Sequence, residues 1–120
     1  MNTPWGQSDQ EENIKGHDGI VWVTTPSHGG FWLSPAAREQ MPATLRAIAP
    51  FAGAGWYEED CDAAIIPLAF PHLFTPAQVA GAVQAMRGMV NMCKYAPAVV
   101  AWLDSHEGAR AAIAKAKGAR

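Results

Sequence analysis

Residues 19–33 read Gly-Ile-Val-Trp-Val-Thr-Thr-Pro-Ser-His-Gly-Gly-Phe-Trp-Leu, and this stretch decides the fold class. Ile20 to Thr24 are all β-branched or aromatic, the side chains that suit a pleated, half-buried surface. Gly29 and Gly30 lead into a second apolar run, Phe31-Trp32-Leu33. Between the runs lie Thr25, Pro26, Ser27 and His28. Proline presets a turn dihedral there, and the hydroxyls can bond the local backbone. The pattern predicts an antiparallel hairpin of strands over 19–24 and 29–33. Alternation puts Ile20, Trp22 and Thr24 on one face and Val21 and Val23 on the other. Both faces are apolar, so the sheet should be covered on both sides or lend an aromatic face to a partner.

Upstream of the hairpin the chain is polar and acidic, with Trp5-Gly6 as its landmark. Residues 8–14 are expected to form a short helix, unless 1–18 is loosely ordered. Ser8 would be the cap, and Asp9, Glu11 and Glu12 would lie at the positive end of the dipole. Downstream, Ser34-Pro35 is a capped helix start that Pro42 interrupts, with a second short helix over 43–48. Trp56-Tyr57 reads as a short strand and 59–68 as a helix that Pro67 kinks or ends.

Thr75-Pro76-Ala77-Gln78 is a capping box opening a helix that should run to about Tyr95, before Pro97. Val79, Val83, Met86, Val90 and Cys93 form its apolar stripe, while Gly81, Ala85 and Gly88 form a small-residue stripe nearly opposite. Two helix glycines cost about 1 kcal/mol each, which predicts another element packed closely against them and a central helix. A last helix over 98–117, broken near Ser105, should bury Val99, Trp102, Leu103, Ala109, Ala112, Ile113 and Ala116. Together these elements predict a single α+β domain over 1–120. In it, an N-terminal antiparallel hairpin or small sheet packs on a C-terminal bundle of three or more helices.

Composition sets the outer limits. The 120 residues are 49% apolar and 17% charged, as in a folded chain with one core. Cys61 and Cys93 have neither a disulfide framework nor a metal-pair spacing. No secretory pattern opens the sequence and no apolar run spans a bilayer, so the expected address is cytoplasmic, off the membrane. The net charge of −2 hides an asymmetry. Residues 1–62 hold nine acidic and three basic side chains, while 63–120 hold two acidic and six basic. That is either two ordinary solvated faces or a polarised molecule that steers a partner. With a pI near 6.0 and scattered basic residues, strong nucleic-acid binding is not expected. His17, His72 and His106 lack zinc-ligand spacing, Met86, Met89 and Met92 read as core filler, and the glycines form no P-loop or dinucleotide fingerprint. No cofactor or metal is expected.

Two motifs remain. In Thr25-Pro26-Ser27-His28-Gly29-Gly30 the histidine stands beside a backbone that a ligand can approach closely, although a glycine-rich turn serving geometry alone would look the same. In Trp56-Tyr57-Glu58-Glu59-Asp60-Cys61-Asp62, four carboxylates within five residues need a cation, an arginine or a helix N-terminus to relieve them. The run reads as the acidic first turn of a helix, or as a metal or basic-partner site flanked by aromatic residues.

On these motifs the chain resembles a family of bacterial domains of unknown function. The family pattern runs from a Trp-Gly near the start, through a Gly-Ile-Val strand and Thr-Pro-Ser-His-Gly-Gly, to Trp-Tyr-Glu-Glu-Asp. Here those positions are Trp5, Gly6, 19–21, 25–30 and 56–60, within a resemblance covering about 4–74. It implies a bacterial origin and a lean towards mobile-element proteins, including those that block host defences, and it implies no activity or cofactor. The expected function is a non-enzymatic module binding a protein partner with a basic surface through Trp56, Tyr57, Glu58, Glu59, Asp60, Asp62 and His28. The alternative is a small hydrolytic or metal-assisted enzyme using His28 with Glu58, Glu59 and Asp60.

Overall fold

The turn over 25–28 closes as its residue types require. The Thr25 amide donates to the His28 carbonyl at 2.7 Å, and the His28 amide donates to Thr25 Oγ1 at 3.1 Å. Around it the computed structural model describes residues 1–48, 50, 52–59 and 62–105. The first half contains strands β1 (Asn2–Thr3), β2 (Gly6–Gln7), β3 (Gln10–Asn13), β4 (Ile20–Thr24) and β5 (Gly29–Leu33), helices α1 (Pro35–Glu39) and α2 (Ala43–Arg46), and strand β6 (Trp56–Glu58). Helices α3 (Ile65–Ala69), α4 (Pro76–Gly88) and α5 (Ala96–Ser105) follow. The architecture is α+β. It divides into two compact units at residues 63 and 64.

The first unit is an antiparallel sheet in the order β3-β4-β5-β6, with β1 and β2 as a separate two-stranded ribbon. The hairpin has the expected strands, with Ile20 opposite Leu33 and Thr24 opposite Gly29. Ile20, Phe31, Leu33 and Tyr57 are buried on one face, and Val21 and Val23 on the other. Ser34 caps α1 by accepting from the Ala37 amide at 3.1 Å, with Pro35 at the first helical position.

The helix expected over 8–14 is instead an edge strand, β3, with Gln10 opposite Thr24 and Asn13 opposite Val21. Its capping residue and acidic first turn favour a helix only weakly. Backbone pairing with β4 outweighs them, and the all-polar Gln-Glu-Glu-Asn face suits an exposed sheet edge. The helix expected over 59–68 is shorter and later: a 3-10 turn, Asp62–Ala64, leads into α3. Pro67 therefore neither kinks nor ends a helix. It lies in the first turn of α3, where a backbone N–H has no intrahelical partner to lose.

In the second unit the capping box is formed in full. The Gln78 amide donates to Thr75 Oγ1 at 3.1 Å, and the Thr75 amide donates to Gln78 Oε1 at 2.9 Å. The helix ends at Gly88 rather than near Tyr95, followed by tight turns in which the Met89 amide reaches back to Met86 and that of Cys93 to Met89. Pro97 is the second residue of α5, so it opens the next helix rather than closing this one. The buried positions of α4 are Val79, Ala82 and Met86, while Val90 is exposed. Met92 lies outside any helix and is 80% exposed, so it is not core filler.

Among the described residues nothing packs on the small-residue stripe: a Cβ on Gly81 or Gly88 would meet no described atom within 4 Å. The helix nonetheless packs against both α3 and α5 through its other faces. On α5, Val99, Trp102 and Leu103 are buried as expected. Ala109, Ala112, Ile113 and Ala116 lie outside the described residues. No helix among the described residues is long and apolar enough to cross a membrane.

Candidate functional site

Alternation along β5 places His28, Gly30 and Trp32 on one face, and the register with β6 sets Gly30 opposite Glu58 and Trp32 opposite Trp56. A side chain at Gly30 would have no room. Its Cβ would stand 2.5 Å from the Tyr57 carbonyl and 2.6 Å from the ring of Trp5, which folds over from the turn between β1 and β2. The Trp5 amide donates to Thr3 Oγ1 at 3.0 Å, and that hydroxyl donates to the Gly6 carbonyl at 2.7 Å, holding the turn that carries the ring.

Three tryptophans meet on this face. Trp5 lies edge-on to Trp56 with ring centres 5.7 Å apart, and Trp32 is tilted against Trp56 at 6.4 Å. All three remain partly exposed. Edge-to-face rings at these distances attract beyond their area of contact, so the cluster is a preformed surface rather than three loose side chains. At its rim His28 Nδ1 lies 3.8 Å from Glu58 Oε2, with the two side chains 45% and 31% exposed. That separation is beyond a direct hydrogen bond.

The Trp-Gly, the glycine pair and the Trp-Tyr-Glu segment are thus neighbours in space. A family model matches residues 1–117. The chain belongs to the family described as Domain of unknown function (DUF7007). The match runs well past residue 74, through the helices that carry no distinctive motif. Neither curated proteins nor solved structures yield a match.

Within this DUF7007 domain the acidic motif is divided rather than continuous. Glu58 faces the tryptophans. Glu59 falls on the opposite face, its Oε2 lying 3.1 Å from where a Gly29 Cβ would be, beside the Trp22 ring. Tyr57 and Asp62 are buried, each only 1% exposed, so neither offers an exposed side chain to a protein partner. Burial also raises the Tyr57 hydroxyl above the ordinary tyrosine pKa. The nearby Arg38 cation opposes that shift and the Asp62 carboxylate adds to it. Asp60 and Cys61 lie outside the described residues. Among the described residues no three histidine, cysteine or carboxylate side chains gather as a metal site would require.

Trp5 and Trp32 belong to the cluster although neither stood among the expected contact residues. The signal for Trp32 is present, because strand alternation puts it in phase with His28 and Gly30. For Trp5 the hint is weaker: a glycine in a strand marks a place where something approaches closely, but nothing local says which ring.

Proposed function

We propose that this DUF7007 domain is a non-enzymatic binding module that receives a protein partner with a basic surface on its tryptophan face. The observation that carries the reading is the clustering of Trp5, Trp32 and Trp56 beside Gly30, partly exposed and edged by Glu58. Rigid aromatic rings supply desolvated contact area at low entropic cost, and a carboxylate at the rim selects the partner's charge and speeds encounter. The excess of acidic over basic residues in 1–62 acts in the same sense.

The test is capture of a partner from cells by wild type, Glu58→Gln and Trp56→Phe, each confirmed as folded. We expect Glu58→Gln to weaken capture as raised salt does, and Trp56→Phe to weaken it at every salt concentration. Undiminished capture by both variants would mean that the partner binds elsewhere. The finer proposal is that the partner belongs to a host defence system, with the domain serving a mobile element. Expression should then raise the survival of incoming phage or plasmid, and Glu58→Gln should reduce that protection.

The 3.8 Å approach of His28 to Glu58 favours a second reading, in which the pair works as an acid–base couple of a small hydrolytic enzyme. That reading expects a hydrolytic activity abolished by His28→Gln with partner capture unchanged. The binding reading expects the reverse.

A further inference from the structure

The first unit also carries a cleft beside α1 and α2, of about 380 Å³, whose walls include Arg38, Arg46, Gly55 and Tyr57 but neither His28 nor Glu58. That volume falls within the range of small-molecule sites. Arg38 is the last basic residue of α1 and Arg46 that of α2, so two short helices deliver a guanidinium each to one concavity.

Arg38 is the unexplained group. Its Nε is fully buried without a hydrogen-bond partner, and among the described residues its side chain makes no hydrogen bond or ion pair. A guanidinium stays charged at any physiological pH and presents five N–H donors in a planar fork. Solvent does not reach that Nε, so a ligand in the cleft would be met by the other atoms of the Arg38 fork. Arg46 is only partly committed. One Nη donates to the Glu39 carbonyl at 3.0 Å, while the Glu39 carboxylate lies 3.8 Å away and is 80% exposed. The Tyr57 hydroxyl is turned to Met41 Sδ at 3.8 Å, which leaves the arginines as the polar groups for a ligand. Gly55, at a φ of +87°, forms part of the wall, and a Cβ there would stand 2.8 Å from the Leu33 carbonyl, so the position is closed to a side chain.

We propose that this cleft binds a small molecule through a carboxylate or phosphate group held by Arg38 and Arg46. Planar forks of this kind match both oxyanions in paired hydrogen bonds.

An NMR titration of the arginine side-chain Nε–H resonances tests this, with inorganic phosphate and acetate as probes and sodium chloride at matched ionic strength as the baseline. In wild type we expect saturable shifts of the Arg38 and Arg46 signals with at least one oxyanion. Phosphate alone would assign a phosphate ligand, and acetate alone a carboxylate. Arg46→Gln should weaken binding about tenfold, the loss of one charge-assisted contact. Arg38→Gln should abolish saturation, and Glu39→Gln should tighten binding by freeing Arg46. If Arg38→Gln fails to fold, the opposite effects of Arg46→Gln and Glu39→Gln still decide the matter. Shifts no larger than those from chloride, or saturation unchanged by both Arg46→Gln and Glu39→Gln, would overturn the proposal.

Discussion

A Cβ at Gly30 in β5 would stand 2.5 Å from the Tyr57 carbonyl and 2.6 Å from the Trp5 ring, whereas one at Gly81 or Gly88 in α4 would meet no described atom within 4 Å. The same residue type serves two different purposes. In the sheet, glycine is the space into which a neighbouring strand and an aromatic ring settle, and the interaction face is built on that space. In the helix, the glycines weaken the backbone and no described contact repays them. A glycine's meaning depends on what approaches it, and that is a property of the fold rather than of the local chain.

The contrast is broken or sharpened by substitution at the two places. Gly30→Ala has the largest expected effect, a loss of about 1–3 kcal/mol from overpacking, read as a lower chemical-denaturation midpoint. Because the methyl would displace Trp5, tryptophan fluorescence should change in the folded state as well. A midpoint within error of wild type would mean that Trp5 does not rest on the sheet. Gly81→Ala is smaller and opposite in sign, a gain of about 0.5–1 kcal/mol from helix propensity alone. A loss of stability there would reveal an element covering that face of α4.

The smallest effect distinguishes the two faces of β6, where Trp56 is partly exposed and Tyr57 is buried. A phenol whose pKa is raised by burial ionises first in the unfolded chain. Both states are neutral below about pH 10, so Tyr57 adds no pH dependence there. Above that value the unfolded state sheds its proton first, and stability falls as pH rises. Tyr57→Phe should flatten that alkaline slope. An unchanged slope in the variant would show that Tyr57 titrates as an exposed phenol does.

How much of this was legible depends on the range of the interaction. The hairpin turn, the Ser34-Pro35 start and the Thr75 capping box all form between residues within about four positions of one another, so their signals are complete in the sequence. β3 is not legible locally because its partner, β4, lies about ten residues on, and a cap and three carboxylates describe a helix equally well until that pairing exists. The acidic motif looks like one surface in the sequence because its residues are adjacent. A strand sends neighbours to opposite faces, which separates Glu58 from Glu59 and turns Tyr57 to the buried side.

The amino-acid sequence therefore determined the α+β class, the turn chemistry, the helix caps and the excess of acid in residues 1–62, since each follows from local backbone preference or simple charge. Only the tertiary structure decided that Trp5 covers Gly30, that Trp32 and Trp56 join it, that Asp62 is buried, and that Arg38 and Arg46 share a cleft. Those contacts bring together segments distant along the chain. Their energies come from burial and packing, which exist only once the strands and helices have found one another.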